Sequence, residues 1–560
     1  MTETLVMLAP LVIVGLWAVL TPLAGPALVR VPGGWQRGVA LVGVALASIA
    51  ASTLLVTPEL AVGSTHFADA VVVDRLALAL DLLVLVAMAA IVASDPPTPG
   101  GAARHGLVLL AGLGAMACAH AGDLTVLTAG LELACLATAT LMWLGRDRDD
   151  GAPALTWLMG QGLAAGLLWL GLGLIYGATG TTRLGELVGR IGAVFLRWGA
   201  SNVQAAVDLL HSSARFDDSL AVYSRDAAVT GAAPAMLLIP GLCLALVGVL
   251  ARLGVWPLAP ALPAISRRVG ASGLATALVL VRVAAAAAML RLFVAVLHAP
   301  RMVYAPYGWG TAAALLGGLS AVVGALAAVR TAGLRRLLAW ATVANAGLVL
   351  LGMGAAADFY AHAGARSGGL KITDHVDWGQ GAGDLAVAAV LLTLAMHALA
   401  SLGLLAAHAA FDRGRGLVDL AGLARRAPVP AAAIAVCLLG LAGAPPTGAF
   451  LARLALLQAG LQDSNLLVRV ALASGTLAGV ALVLGCLRVL ATMWSDPGPD
   501  APPAGRGWAR GTLVILALLL VGTGLFGQVT VEAAREAAAG AGLGPGTPAR
   551  RAWIDARQAR

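Results

Sequence analysis

The segment Gly248-Val-Leu-Ala-Arg252-Leu-Gly-Val-Trp-Pro257 places one arginine inside an apolar stretch that ends at a proline. A charged side chain inside a bilayer is costly, and a proline removes a hydrogen bond from a helix and frees a carbonyl group. Membrane proteins tolerate freed carbonyl groups only where other protein groups or water satisfy them. The segment therefore predicts a membrane helix that is broken beside a buried charge.

A second segment of this kind lies in the other half of the chain. Residues 441–450, Leu-Ala-Gly-Ala-Pro-Pro-Thr-Gly-Ala-Phe, contain Pro445 and Pro446 and precede Arg453. A broken helix beside a charge in each half is typical of transporters with an internal repeat and one ion site per half. The proline and the arginine occur in opposite orders in the two segments, so the halves do not match residue for residue.

The composition excludes a soluble enzyme. Of the 560 residues, 60% are hydrophobic and 11% are charged, and the mean hydropathy is +0.89. Soluble domains carry about 25% charged residues, and about 20 apolar residues cross a bilayer. Hydropathy predicts an all-α polytopic membrane protein in a lipid bilayer, with fourteen spans near residues 4–29, 36–56, 71–94, 105–122, 124–144, 153–176, 236–265, 272–297, 309–329, 335–356, 383–410, 429–457, 465–492 and 509–528.

The loop charges predict the orientation. Arginine-containing loops, such as those with Arg104, Arg267 and Arg335, alternate with acidic loops, such as those with Asp69 and Asp123. The positive-inside rule places the arginine loops in the cytoplasm. We expect a multi-pass protein of the cell inner (cytoplasmic) membrane with both termini outside. We attribute the formal charge of +8 to the arginines of these cytoplasmic loops. We therefore expect no nucleic-acid partner.

Four spans each contain a charged residue well inside the apolar stretch: Glu132, Arg252, Arg282 and Arg453. We interpret them as a polar axis along the membrane plane; static ion pairs that fix helix packing are the alternative. His397 also lies inside a span, either as a member of a proton relay or as a core histidine. Nearer the span ends, we expect Arg291 and Arg488 to reach the interface and His120 and His408 to have no role.

The chain shows no motif for a redox cofactor or a metal. All five cysteines, Cys118, Cys135, Cys243, Cys437 and Cys486, lie in apolar stretches without a CxxC pair. A zinc site or an iron–sulfur cluster is therefore not indicated, and we expect the cysteines to pack as small core residues. We expect no cofactor, no metal and no catalytic redox residue in this chain.

Several motifs resemble one membrane-protein family, the antiporter-like subunit N of the proton-translocating NADH:quinone oxidoreductase, respiratory complex I. The resemblance covers roughly residues 100–495. It is carried by Gly-Leu-Glu-Leu at 130–133, Leu-Ile-Tyr-Gly-Ala-Thr-Gly-Thr-Thr at 174–182, Leu-Arg-Arg-Leu-Leu-Ala-Trp at 334–340 with Ala-Asn-Ala-Gly at 344–347, and Leu-Ala-Gly-Leu-Ala-Arg-Arg at 420–426 running to residues 441–450.

The resemblance implies fourteen helices with two inverted five-helix repeats. We divide the chain into an N-terminal three-helix region (1–98), a first antiporter-like repeat (99–300) with a long outside loop at 177–232, a second repeat (301–495), and a C-terminal helix and tail (496–560). Within the long loop, residues 184–210 have the apolar spacing of an amphipathic helix. The resemblance also implies a chain of buried charges in which Glu132 pairs with Arg252, while Arg282 and Arg453 occupy lysine positions.

The chain departs from the family at those cation positions. Arginine replaces lysine at Arg252, Arg282 and Arg453, Thr156 stands at a further lysine position, and Lys371 is the one lysine of the chain. Because arginine stays protonated in proteins, three positions that titrate in the family are fixed cations here. Glu132 remains able to titrate.

Three functions stay open at this point. The first is a membrane-arm subunit of a complex I-like enzyme that moves protons, in which electrons pass through other subunits and quinone is a possible partner through the complex. The second is a structural subunit of such a complex with no conducting path. The third is a cation/proton antiporter subunit.

Overall fold

The computed structural model describes most of the chain. The described residues are 2–27, 34–57, 63–96, 100–144, 151–191, 194, 218–258, 261–297, 303, 308–331, 333–366, 378–411, 416–462, 466–496 and 507–540. The predicted amphipathic helix at 184–210 is helical at 184–191 and at residue 194, and its remainder lies outside this range. Residues 367–377, between two predicted spans, and the last twenty residues also lie outside this range.

Apolar helices make up almost all of the described chain. They are α1 (Thr2–Met7), α2 (Ala9–Ala27), α3 (Trp35–Leu55), α4 (Arg75–Ser94), α5 (Gly101–Ala119), α6 (Leu124–Trp143), α7 (Gly151–Thr179), α8 (184–191), α9 (Asp218–Leu253), α10 (Ala261–Ile265), α11 (Ala271–Leu278), α12 (Leu280–Met289), α13 (Trp309–Val329), α14 (Leu334–Arg366), α15 (Trp378–Phe411), α16 (Leu423–Arg426), α17 (Pro428–Ala442), α18 (Gly448–Gln462), α19 (Leu466–Trp494), α20 (Gly507–Leu525) and α21 (Gly527–Gly540). A π-helical turn, Leu290–Val294, extends α12, and a 3-10 turn spans Gly416–Leu420.

The predicted all-α, fourteen-span architecture is confirmed. Within the described residues, twelve helices are long and apolar enough to cross a membrane. Two shorter apolar helices, Ala9–Ala24 and Pro428–Ala442, occupy the first and twelfth predicted positions. The span Ala271–Val294 is buried along its whole length, whereas only about a third of the residues of α3, α7 and α20 are buried. The eighth span is therefore central in the bundle.

Both predicted helix breaks are present. Helix α9 ends at Leu253 and is followed by Gly254 with φ +89° and then by Pro257. Helix α17 ends at Ala442 and is followed by Gly443 with φ +67° and then by Pro445 and Pro446. Positive φ favours glycine, so a glycine turns the chain out of the helix before the prolines prevent its continuation.

The breaks fall at equivalent places in two sets of five spans. The first set is α5, α6, α7, α9 and α11–α12, and the second is α13, α14, α15, α17–α18 and α19, with the break in the fourth member of each. In both sets the first two members cross at a glycine pair, Gly114 with Gly130 and Gly317 with Gly347, where a Cβ atom would meet backbone. This correspondence agrees with the predicted pair of five-helix repeats.

Two local features were not predicted. The eighth span is interrupted at Val279, which separates α11 from α12. A β-hairpin, β1 (Ser64–His66) with β2 (Val71–Val73), pairs in antiparallel register with Ser64 opposite Val73. Val71 also pairs with Ala121, so the hairpin covers the end of α5. These short strands need neighbours in space to form, which a hydropathy profile does not show.

Candidate functional site

The two charges that the sequence placed on different spans form an ion pair. Helix α6 carries Glu132, and α9 carries Arg252 two residues before its break. The Arg252 Nη2 atom lies 2.6 Å from Glu132 Oε1. The arginine side chain is fully buried, while the glutamate side chain is 24% exposed. Because a buried cation is costly without a partner, Glu132 supplies the charge that allows Arg252 to lie here.

Arg282 stabilises the break itself. Its Nη1 atom donates to the backbone carbonyl of Arg252 at 2.9 Å. In a continuous helix the amide of Trp256 would donate to this carbonyl. Here it donates instead to Ser320 Oγ at 3.1 Å. A Cβ atom on Gly254 would overlap the Arg282 guanidinium. The polar backbone groups that the break frees are thus paired with Arg282 from the eighth span and with Ser320 from the ninth.

His397 lies on the other side of Arg282, across a small cavity. Arg282, Asn345 and His397 are among the residues that line it, and its volume is about 20 Å³, enough for about one water molecule. The Nε2 atom of His397 lies 3.1 Å from Thr342 Oγ1, and its Nδ1 atom is buried with no hydrogen-bond partner in the described part of the chain. Glu132, Arg252, Arg282 and His397 therefore follow one another through the bundle.

Arg453 belongs to a separate place in the second repeat. Its guanidinium packs over Gly443 at the second break and over Gly479 in α19, where added Cβ atoms would collide with it. No ion pair or hydrogen bond among the described residues joins it to the other four predicted site residues. At the first break Gly254 is covered by Arg282, which comes from the next span. At the second break Gly443 is covered by Arg453, which lies on the same span, after the break.

One expectation about residues near span ends was wrong. Arg291 is buried and makes a two-pronged ion pair with Asp74, at 2.7 and 2.8 Å, so it does not reach the interface. His120 is fully buried, and its Nε2 atom lies 2.8 Å from Asp81 Oδ2. In contrast, Arg488 is exposed and donates to Val329 O at 2.6 Å.

The sequence reasoning also missed Asp81 itself, which is fully buried in α4. It lies well inside a predicted span, so the criterion that found Glu132 would have found it too. Tyr360 and Asp384, whose side-chain oxygens are 2.7 Å apart, form a further buried contact that sequence spacing does not indicate.

The cysteines are unpaired. Four of them pack in the core as expected, but Cys243 is exposed on α9, so the expectation of a core position was wrong there. Among the described residues, no group of three or more His, Cys, Asp or Glu side chains lies close enough together to hold a metal ion.

The fold and the buried charges define a polytopic membrane protein whose ionisable groups lie inside its helix bundle. The profile of the family described as NADH:quinone oxidoreductase/Mrp antiporter, transmembrane, matches residues 121–366 and 379–478. The chain belongs to this family.

Relatives and solved structures agree. The chain is 29% identical over 506 residues to NADH-quinone oxidoreductase subunit N 1 of Sorangium cellulosum, covering 87% of each chain. It is 28% identical over 430 residues to subunit N of Deinococcus radiodurans, covering 75% of this chain and 72% of the relative. These relatives confirm the resemblance to subunit N.

Two solved structures have the same fold. A chain of respiratory complex I from Thermus thermophilus with bound aureothin matches with a TM-score of 0.67 at 22% identity, covering 93% of this chain and 98% of that one. A chain of the Mrp complex from Dietzia sp. DQ12-45-1b matches with a TM-score of 0.70 at 19% identity, covering 96% and 97%.

Proposed function

We propose that this chain is a membrane-arm subunit of a complex I-like NADH:quinone oxidoreductase and that it takes part in proton translocation coupled to electron transfer. The Glu132–Arg252 ion pair, with Arg252 fully buried, carries the proposal. Similarity to relatives named subunit N supports the assembly. Its partners are the other membrane subunits, with quinone reached through the complex, and electrons pass through other subunits and not through a cofactor of this chain.

In this mechanism Glu132 is the group that gains and loses a proton. Arg252, Arg282 and Arg453 stay charged, because guanidinium groups do not deprotonate in proteins. A proton that arrives at Glu132 leaves the buried Arg252 without its counter-charge, which is strongly unfavourable. Protonation of Glu132 must therefore be accompanied by movement of another charge, and that requirement couples proton transfer to events elsewhere in the complex.

His397 is the neighbouring group through which a proton moves on. It shares a cavity with Arg282 that has room for about one water molecule. Its buried Nδ1 atom has no hydrogen-bond partner in the described residues, so no protein group among them competes for a hydrogen at that atom. Arg453 sets the electric field at the corresponding break of the second repeat.

We also propose how the chain is divided into domains and how it is oriented in the membrane. The domains are the N-terminal three-helix region (1–98), two inverted repeats (99–300 and 301–495) and the C-terminal helix and tail (496–560). The arginine-rich loops face the cytoplasm of a cell whose inner membrane holds the protein, and both termini lie outside.

The central test measures protons translocated per electron pair in sealed inverted vesicles, at matched complex content. We expect Glu132→Gln to lower the ratio while electron flow continues, because glutamine keeps the shape of the side chain and cannot titrate. Asp384→Asn is the matched control, a carboxyl of another span that hydrogen-bonds Tyr360, and it should keep the wild-type ratio. An unchanged ratio for Glu132→Gln would mean that these charges are scaffolding.

A non-conducting structural subunit is the second candidate. The hydrogen bond from Arg282 to the Arg252 carbonyl favours it, since that contact fixes the backbone at the break. Under this alternative Arg282→Gln impairs assembly only. Under the proposed function, complexes that contain Arg282→Gln at normal stoichiometry pump less per electron pair.

A cation/proton antiporter subunit is the third candidate. The fold shared with a chain of the Mrp complex favours it. Sodium-dependent proton movement in vesicles that contain the complex, without NADH oxidation, would support this candidate and contradict the proposed coupling to electron transfer.

A further inference from the structure

A second group of buried charges lies between the N-terminal helices and the eighth span. Both carboxylate oxygens of Asp74 accept from Arg291, at 2.7 and 2.8 Å, and Arg291 Nε donates to Ala119 O at 2.8 Å. Asp74 also caps α4 by accepting from the amide of Ala77 at 2.8 Å. Asp74 and Arg291 therefore compensate each other and are held in place from three directions.

Asp81 and His120 complete this group of buried charges. Unlike the pair of Asp74 and Arg291, in which the arginine stays charged, both members of this pair can gain or lose a proton. Their side chains are fully buried, and Asp81 Oδ2 lies 2.8 Å from His120 Nε2. The other ring nitrogen, Nδ1, lies 2.9 Å from the carbonyl of Val72. A carbonyl oxygen only accepts, so Nδ1 carries the hydrogen and donates it.

The position of that hydrogen determines the chemistry of the Asp81–His120 contact. With Nδ1 protonated, a hydrogen bond between Nε2 and Oδ2 requires one more proton between them, on the ring or on the carboxyl. The pair therefore holds one proton and is neutral overall in either arrangement. Loss of this proton would leave a carboxylate in a site from which water is excluded.

The surroundings of the pair show how its proton is balanced. The charged groups that interact with it are Asp74 on the same helix and, for His120, Arg291. Burial alone would lower the pKa of His120, but the charge of Asp81 and the hydrogen bond to it outweigh burial and raise that pKa. The pair therefore keeps its proton to a higher pH than a free histidine would and releases it as the pH rises further.

One oxygen of Asp81 is not used in any of these contacts. The Oδ1 atom is buried and has no hydrogen-bond partner among the described residues. An unsatisfied buried carboxyl oxygen is costly, and a change in protonation of Asp81 is one physical reason for such a group to be kept.

The pair lies below the hairpin-covered end of the bundle. The amide of Val72 donates to His120 O at 2.8 Å, and the amide of Gly122 donates to Ala70 O at 2.9 Å. Arg291, which pairs with Asp74, is on the same span as Arg282, nine residues further along and therefore about 13 Å away along the helix axis. The two groups of charges are therefore connected by the most buried span of the protein.

We propose that Asp81 and His120 form a second protonation site of this chain, which holds one exchangeable proton between the buried charges of the first repeat and the hairpin-covered surface. On release, the proton leaves to water, and an Asp81 carboxylate and a neutral His120 remain. The use of this site in translocation rests on the proposed function, whereas the binding of the proton does not.

The test is an infrared pH titration of the purified complex. In the wild type we expect one titration step, seen as loss of the carboxylic-acid or imidazolium absorption as the pH rises, that is absent in both Asp81→Asn and His120→Gln. Asp123→Asn is the matched control. Burial alone would raise the pKa of Asp123, but hydrogen bonds from Thr125 and Thr182 lower it, so its loss should not change the titration near neutral pH.

A second measurement separates this site from the proposed function. If Asp81→Asn lowers the protons translocated per electron pair with electron flow intact, the site is part of the route, whatever Glu132→Gln does. If the titration step is identical in wild type, Asp81→Asn and His120→Gln, the proposal is wrong. A wild-type complex without any step that can be assigned to an aspartic acid or a histidine would overturn it even if both variants failed to assemble.

Discussion

Arginine at the buried positions changes what each side chain can do. Arg252 uses one nitrogen for Glu132 and keeps its charge at any pH the cell meets, and Arg282 uses its planar donors to hold a backbone carbonyl at 2.9 Å. A lysine offers a compact charge whose pKa shifts readily on burial. The arginines are therefore fixed charges that position the break, and under the proposals above proton binding falls to Glu132, His397 and the pair Asp81–His120.

Asp95, which follows α4, provides a test of pH dependence. Arg104 donates to Asp95 Oδ2 at 2.7 and 3.0 Å, and His105 Nε2 lies 3.4 Å from the same oxygen. Burial by itself would raise the pKa of Asp95, but the neighbouring His105 and the charge and hydrogen bonds of Arg104 lower it below its usual value.

We expect Asp95→Asn to destabilise the protein by about 2 kcal/mol at pH 7, as for other hydrogen bonds to charged groups. A lowered folded-state pKa adds stability above the unfolded-state pKa, and this stability is lost as the pH falls through the folded-state value. The difference in thermal unfolding midpoint from wild type should persist from pH 7 to about pH 4 and shrink below it. A difference that grows on acidification would contradict this assignment.

At the scale of the element, the helix breaks are the main determinant of the site. Proline and glycine end α9 and α17 locally, and the exposed backbone groups then require partners from other spans. The sequence showed where the breaks occur. It did not show that Ser320 and Arg282 satisfy the first, or that the eighth span is itself interrupted at Val279, where no proline marks the position.

The glycine at the second break, Gly443, can be tested by substitution. Alanine at this position would adopt φ +67° and bring its Cβ atom against the Arg453 guanidinium. We expect Gly443→Ala to lower the free energy of unfolding by about 2 kcal/mol or more. The thermal unfolding midpoint of the assembled complex measures this effect.

Gly511 provides the control for that experiment. It lies inside α20, a Cβ atom there meets nothing within 4 Å, and alanine favours a helix over glycine. Gly511→Ala should leave the midpoint unchanged or raise it slightly. Equal midpoints for Gly443→Ala and Gly511→Ala would show that the second break does not depend on the glycine.

At the scale of the whole molecule, the distribution of charge between the loops determines how the protein lies in the membrane. The positive-inside rule is statistical and acts during insertion, so orientation requires its own test. Two exposed positions on opposite predicted sides are suited to it: Ala68 in the hairpin turn and Arg336 at the start of α14.

We expect a membrane-impermeant thiol reagent to label Ala68→Cys in intact cells and to label Arg336→Cys only after the membrane is permeabilised. Cys243→Ala serves as the background for both variants, because Cys243 is exposed and the other described cysteines are buried. Labelling in the reverse order would place both termini in the cytoplasm.

The sequence alone determined the membrane class, the fourteen spans, the two breaks and five of the ionisable residues inside the bundle, because hydrophobicity and helix-breaking residues act locally along the chain. The tertiary structure alone decided which groups meet. Glu132 and Arg252 are 120 positions apart, and Asp74 and Arg291 are 217 apart. A charge inside a membrane requires a partner, but its identity depends on which helices pack together, and packing is a property of the whole bundle.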